Sequence, residues 1–293
     1  LYLMNLDTQE YKEVDVNVVS DQTSLIPKQV NTKKQKGWTH VSPDGKRIVV
    51  EARGDIFTIP AENGVTRNLT RTDGVAERYP VWSPNGKYVA WWSDETGEYQ
   101  LCLYDLETGE TNTLTNFEKG YRYPVYWSPD SEKVAYVNHL MEIFIYNVNE
   151  KEIKKIDTGN GAPHHGLLNL AFDWSADSKW LTWSRSVNQN NNVVFIYDVD
   201  AEKKHQVTSG FYTNYRPAFD PEGKYLYCLT NREMNPVYSE FDGTFVYSNS
   251  TMIAAIPLTS KIESPLKPEN DEVAIQDEAD EKADKKNKKE KEK

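Results

Sequence analysis

The sequence predicts an all-β fold, a β-propeller of four-stranded antiparallel blades. Two observations predict it: a repeat with the period of a blade, and strand and turn patterning inside each copy. The string VSPDGKRIVV (41–50) recurs as WSPNGKYVAW (82–91), WSPDSEKVAY (127–136), WSADSKWLTW (174–183) and FDPEGKYLYC (219–228). Its markers Ser42, Ser83, Ser128, Ser175 and Asp220 are separated by 41, 45, 47 and 45 residues. Four short strands per such period is the requirement of a propeller, whose blades bury their faces against one another.

Each copy opens with a short apolar run, as in YPVW (79–82) or RPAF (216–219). A turn follows, in which Pro presets φ and Asp or Asn with Gly or Ser closes the reversal. The second strand begins at Lys and carries apolar residues, as in KYVAWW (87–92). The third strand is β-branched and aromatic: DIFTIP (55–60), QLCLYDL (100–106), EIFIYNV (142–148), VVFIYDV (193–199) and MIAAIPL (252–258). Fourth strands end in NLT (68–70), TLT (113–115), KID (155–157) and QVT (206–208), and the fifth copy shows none.

Leu1–Leu6 and Val14–Val18 read as third and fourth strands of an earlier blade. Residues 20–37 carry no strand pattern. Five blades and a fraction point to a ring cut short, with a closed five-bladed ring as the alternative. From Leu266 the composition changes: Lys267–Lys293 holds 8 Lys and 10 acidic residues without an aromatic, which predicts disorder. The expected organisation is therefore as follows. Residues 1–18 end a preceding propeller and 19–37 form a linker. Blades occupy 38–258, at about 38–70, 79–115, 122–157, 169–208 and 215–258. Residues 259–293 form a charged disordered tail or insertion.

The formal net charge of −11 gives no general attraction to nucleic acid, and no apolar run is long enough to cross a bilayer as a helix. The chain begins at Leu1 with a strand pattern and no leader, and is expected to be a piece of something longer. Cys102 and Cys228 sit in strand patterns as small buried hydrophobes and form neither a disulfide framework nor a zinc set. No G-x-S-x-G, H-E-x-x-H, Walker or G-x-G-x-x-G motif occurs, so no catalytic residue, metal site or cofactor is expected. His164 and His165 are adjacent and, on extended chain, point apart. The turn SDETGEY (93–99), with Asp94, Glu95 and Glu98, lacks EF-hand spacing.

Arg78 in ERYPVW, Arg122 in YRYPVYW and Arg216 in YRPAF each stand at the start of a first strand, the strand that lines a propeller channel. The expectation is that they gather at one channel mouth and attract peptide carboxylates. The alternative is that each pairs with a neighbouring acid, such as Glu77, and staples blades together.

The combination ARGDIFTIPAE (52–62), RNLTRTDGVAER (67–78) and SDETGEY (93–99), continued through RPAFDPEGKYLYCLTNREMNPVYSEF (216–241), resembles the propeller region of the tricorn proteases. The likeness covers most of residues 38–258. The turn SPDGK alone is shared with TolB-like and prolyl-oligopeptidase-type propellers. The resemblance implies about five of the seven blades of a second propeller, with remaining blades, a PDZ domain and a serine-peptidase core elsewhere in the parent chain. It implies oligopeptide substrates filtered through the channel, a homo-oligomeric cytoplasmic parent (the periplasm left open), and no catalytic residue within this chain. A stand-alone TolB-like interaction propeller and the propeller of a prolyl-oligopeptidase-type hydrolase are the alternative readings.

Overall fold

The repeated turn serine is the hinge of each blade. Ser42 Oγ donates to Asp44 Oδ1 at 2.7 Å and accepts from the Arg47 backbone N–H at 2.9 Å. The same pair of bonds recurs at Ser83, with Asn85 and Tyr88, and at Ser128, with Asp130 and Lys133. Ser175 repeats it with Asp177 and Trp180. In the fifth copy Asp220 replaces the serine and accepts from the Glu222 and Lys224 N–H groups. A short polar side chain bonding to local backbone fixes the reversal and sets the register of the two strands that flank it.

The computed structural model describes residues 1–17, 19, 26, 30–32, 34–187, 191–233, 236–239, 241 and 243–268. The predicted charged tail from 269 onward, and much of the predicted linker, lie outside these. The chain divides into two units, Leu1–Lys36 and Gly37–Lys293. The first holds an antiparallel hairpin, β1 (Tyr2–Met4) with β2 (Tyr11–Glu13), in which Tyr2 faces Glu13. The second strand therefore precedes the valine-rich run 14–18 in which the sequence pattern puts it.

The second unit is a series of antiparallel sheets in chain order. The first sheet comprises β3 (Lys36–Val41), β4 (Arg47–Ala52), β5 (Asp55–Pro60) and β6 (Arg67–Asn68). The second comprises β7 (Glu77–Trp82), β8 (Tyr88–Ser93), β9 (Gln100–Asp105) and β10 (Thr111–Thr113). The third is β11 (Tyr126–Trp127), β12 (Lys133–Val137), β13 (Glu142–Asn147) and β14 (Glu152–Thr158). A five-residue helix, α1 (His164–Leu168), leads into the fourth: β15 (Phe172–Trp174), β16 (Trp180–Ser186), β17 (Asn192–Asp198) and β18 (Lys203–Gln206). The fifth has three strands among the described residues, β19 (Asn214–Phe219), β20 (Tyr225–Thr230) and β23 (Met252–Pro257). Between β20 and β23 stands a separate hairpin, β21 (Pro236–Tyr238) with β22 (Phe245–Tyr247), which sequence reading missed. Four-stranded blades in sequence order make this the predicted propeller architecture.

The cores lie between blades, and this explains the uninterrupted apolar runs. In β8, Val89 and Trp91 pack toward the first sheet, against Val49 and Ile56. Ala90 and Trp92 pack toward the third, against Val134, Tyr136 and Tyr146. Both faces of the strand are buried, so alternation disappears from its sequence. Ile143 and Ile145 meet Trp183 and Phe195 at the next interface, and Val194 meets Leu226 and Cys228 at the one after. Both cysteines are buried and free, and burial raises the thiol pKa of each, that of Cys102 to about 11.

The repeated Leu-Thr and Val-Thr endings have a defined task. Thr70, Thr115 and Thr208 accept, through Oγ1, the N–H groups of Ile56, Leu101 and Val194 in the third strands. The third copy ends KID instead, and its Asp157 reaches into the fourth blade. Arg185 Nε and Nη2 donate to its two oxygens at 2.6 and 2.9 Å, Trp183 Nε1 donates at 3.1 Å, and Lys204 Nζ completes the cluster.

Candidate functional site

The first strand of each blade is an edge of its sheet, and β3, β7, β11 and β15 together line one cavity of about 520 Å³. The wall is aromatic and apolar, with Trp38, Trp82, Trp127 and Trp174 contributing. Pro43, Pro84 and Pro129 from the serine-proline turns also line it, so the cavity lies at the turn end of these strands. Its ionisable groups are tied into the fold. His40 Nδ1 accepts from the Trp82 N–H at 3.2 Å, and burial lowers its pKa, keeping the ring neutral near pH 7. Asp173 accepts from the Phe219 N–H at 2.6 Å across the next blade boundary, and desolvation raises its pKa.

At the opposite end, where the first strands begin, tyrosines cluster. Tyr79 and Tyr121 hydroxyls lie 2.7 Å apart, and the Tyr121 ring meets Tyr99, Tyr123 and His164 edge-on at 5.5, 5.2 and 5.6 Å. Burial and the bond to Tyr121 push the Tyr79 phenol far above its ordinary range. His164 on α1 lies with Nδ1 3.1 Å from the Tyr123 hydroxyl, so the short helix is anchored to this cluster. Sequence reading missed this cluster because its members come from two neighbouring blades and a connection. His165 points to Asn169 instead, and among the described residues no group of three or more His, Cys, Asp or Glu is placed to hold a metal.

The three arginines occupy three different register positions. Arg78 lies five residues before its turn marker, Arg122 six and Arg216 four. Arg78 is exposed at the start of β7 and pairs with Glu51 of the preceding blade at 3.2 Å. Arg122 is buried. It donates to the carbonyls of Tyr99, Gly120 and Lys119, with its guanidinium 3.9 Å from the Phe117 ring centroid. Arg216 is exposed in β19 and lines a separate cleft of about 290 Å³ between the third, fourth and fifth blades. Pairing with Glu77 does not occur: that carboxylate is buried, receives the Thr72 hydroxyl at 2.5 Å, and is pushed up in pKa by desolvation.

Comparison with known proteins places this architecture. The family model described as the tricorn protease second β-propeller domain matches residues 38–293. A tricorn protease homolog of Saccharolobus solfataricus is 25% identical over 236 residues, covering 80% of this chain and 21% of that protein. Tricorn protease homolog 1 of Streptomyces coelicolor is 26% identical over 275 residues, covering 91% of this chain and 25% of that one. The crystal structure of the tricorn protease superposes with a TM-score of 0.70 at 18% identity, over 90% of this chain and 25% of that chain. The chain thus spans a fifth to a quarter of the length of these relatives. A TolB structure from Agrobacterium is similar at the level of the fold, with a TM-score of 0.50 and 16% identity. Among the described residues no helix is long and apolar enough to cross a membrane.

Proposed function

Since this chain belongs to the family of tricorn protease second β-propeller domains, we propose that it admits and positions oligopeptides for a serine-peptidase active site carried elsewhere in its parent protein. The observation that carries this reading is the aromatic cavity lined by the first strands of four successive blades. An extended peptide offers apolar side chains to such a wall, and indole and phenol rings supply large contact area at low entropy cost. In this reading Arg216, in its own cleft, is the peptide-contacting cation, Arg78 is engaged by Glu51, and Arg122 acts by holding residues 119–120 against Tyr99 and Phe117. The remaining blades, the peptidase core, a homo-oligomeric assembly and a cytoplasmic location belong to the same proposal.

The test is a charge placed in the channel wall. Val41 lines the cavity and is 56% exposed, and Val65 is 66% exposed outside it. Val41→Arg should weaken binding of a short, neutral, fluorescently labelled apolar peptide to the chain, while Val65→Arg leaves it unchanged. Equal affinity of both variants and the unmodified chain removes the channel from the reading.

A further inference from the structure

We infer that the cleft at Arg216 is a binding site for a single peptide carboxylate. Its lining contains no acidic residue. It does contain side chains left with hydrogen-bonding capacity. Among the described residues, the guanidinium of Arg216, the carboxamides of Asn160 and Asn192, and the hydroxyl of Ser184 have no hydrogen-bond partner. A carboxylate offers acceptor sites only, on two oxygens, and matches a guanidinium fork flanked by neutral donors.

The surrounding charge favours the same ligand. Arg185, also in the lining, is bound to Asp157, and Asp157 takes Lys204 as well, so one acid meets two cations beside the cleft. That cluster carries a formal charge of about +1, and Arg216 is the lining arginine whose donors are uncommitted. Met141 supplies an apolar patch for the residue that bears the carboxylate. Arg216 is also held at φ 49°, ahead of Pro217, a backbone conformation that side-chain-bearing residues rarely adopt.

The inference rests on the peptide-admitting reading and is tested apart from it. A dansylated neutral apolar peptide is titrated into the chain in three forms: free C-terminal acid, C-terminal amide, and amide with one internal glutamate. The same titrations are made with Arg216→Gln, Arg216→Lys and Asn192→Ala, each checked for unchanged thermal unfolding. At least one acidic form should bind about tenfold more tightly than the neutral amide. That preference should vanish in Arg216→Gln, return in part in Arg216→Lys, and shrink in Asn192→Ala. Preference for the free acid alone assigns the site to peptide C termini, and preference for the glutamate form assigns it to acidic side chains. Equal binding of all three forms, or a preference that survives Arg216→Gln, overturns the carboxylate site while leaving the channel intact. Absence of binding by every form overturns both.

Discussion

Tyr79 and Arg216 occupy the same place in the same bulge. Each is the left-handed residue of a first strand, at φ 56° and 49°, and each precedes a proline, Pro80 and Pro217. In both strands the register shifts at this point, between Arg78 and Val81 and between Tyr215 and Ala218. A bulge re-aims one side chain. In the second blade it sends a phenol into the tyrosine cluster, and in the fifth it sends a guanidinium into an open cleft. The structural counterpart of Arg216 is therefore Tyr79, and Arg78 corresponds to Tyr215.

This equivalence separates the arginines by experiment. Arg122→Gln should cost about 2 kcal/mol in urea unfolding, because the buried guanidinium's bonds to three carbonyls and its contact with the Phe117 ring are lost. Arg78→Gln removes a half-exposed ion pair and should cost less than about 1 kcal/mol. Similar losses for the two variants would contradict the placement of Arg122 inside the fold.

The turn position that holds Gly45, Gly86 and Gly223 is Ser131 in the third blade and Ser178 in the fourth, all at positive φ. The serines bond across blade boundaries: Ser131 Oγ accepts from the Asn85 N–H and Ser178 Oγ from the Asp130 N–H, both at 3.0 Å. Ser131→Gly loses the bond but relieves the backbone, so its net effect should be within about 0.5 kcal/mol of zero. Ser131→Ala loses the bond without relief and should cost about 1 kcal/mol in chemical denaturation. A glycine variant less stable than the alanine variant would contradict this.

Asp157 is a buried acid held by Arg185 and Lys204, and Asp157→Asn should cost about 3 kcal/mol at pH 7. Its burial opposes ionisation, but the bonds from Arg185 and Lys204 outweigh it and lower its pKa. The stability it supplies is complete above the unfolded value near pH 4 and is lost as pH falls through the depressed folded value. The gap between the parent and Asp157→Asn stability curves should therefore close in acid, and a constant gap would refute the assignment.

Glu77 has the opposite sign. Desolvation raises its pKa, and one of its carboxylate oxygens has no hydrogen-bond partner. Its contribution is fully present below the unfolded carboxylate value and is lost as pH rises through the raised folded value. Glu77→Gln should equal or exceed the parent in stability at pH 7, by up to about 1 kcal/mol, with the advantage shrinking as pH falls. Unfolding curves at neutral and acidic pH check both statements.

The blades were legible because turn chemistry and β-branched third strands are local signals that repeat. The mouth was not. Arg78, Arg122 and Arg216 look equivalent because each stands near Tyr and Pro, but a one-residue offset and a bulge change where a strand side chain goes. The Tyr79–Tyr121 pair, α1 and the β21–β22 hairpin lie in connections and blade-to-blade contacts that carry no period. The KID ending was visible as a departure from Leu-Thr, and an acid replacing a repeated hydroxyl is the signal that could have located the Asp157 cluster.

The most direct measurement is photo-crosslinking of a peptide bearing a benzophenone side chain, with the modified residues mapped by mass spectrometry. Crosslinks concentrated on the first strands and mouth, at Lys36–Val41, Glu77–Trp82, Tyr126–Trp127, Phe172–Trp174 and Asn214–Phe219, are the predicted result. Crosslinks confined to the outer strands Thr111–Thr113 and Lys203–Gln206 would contradict a peptide channel.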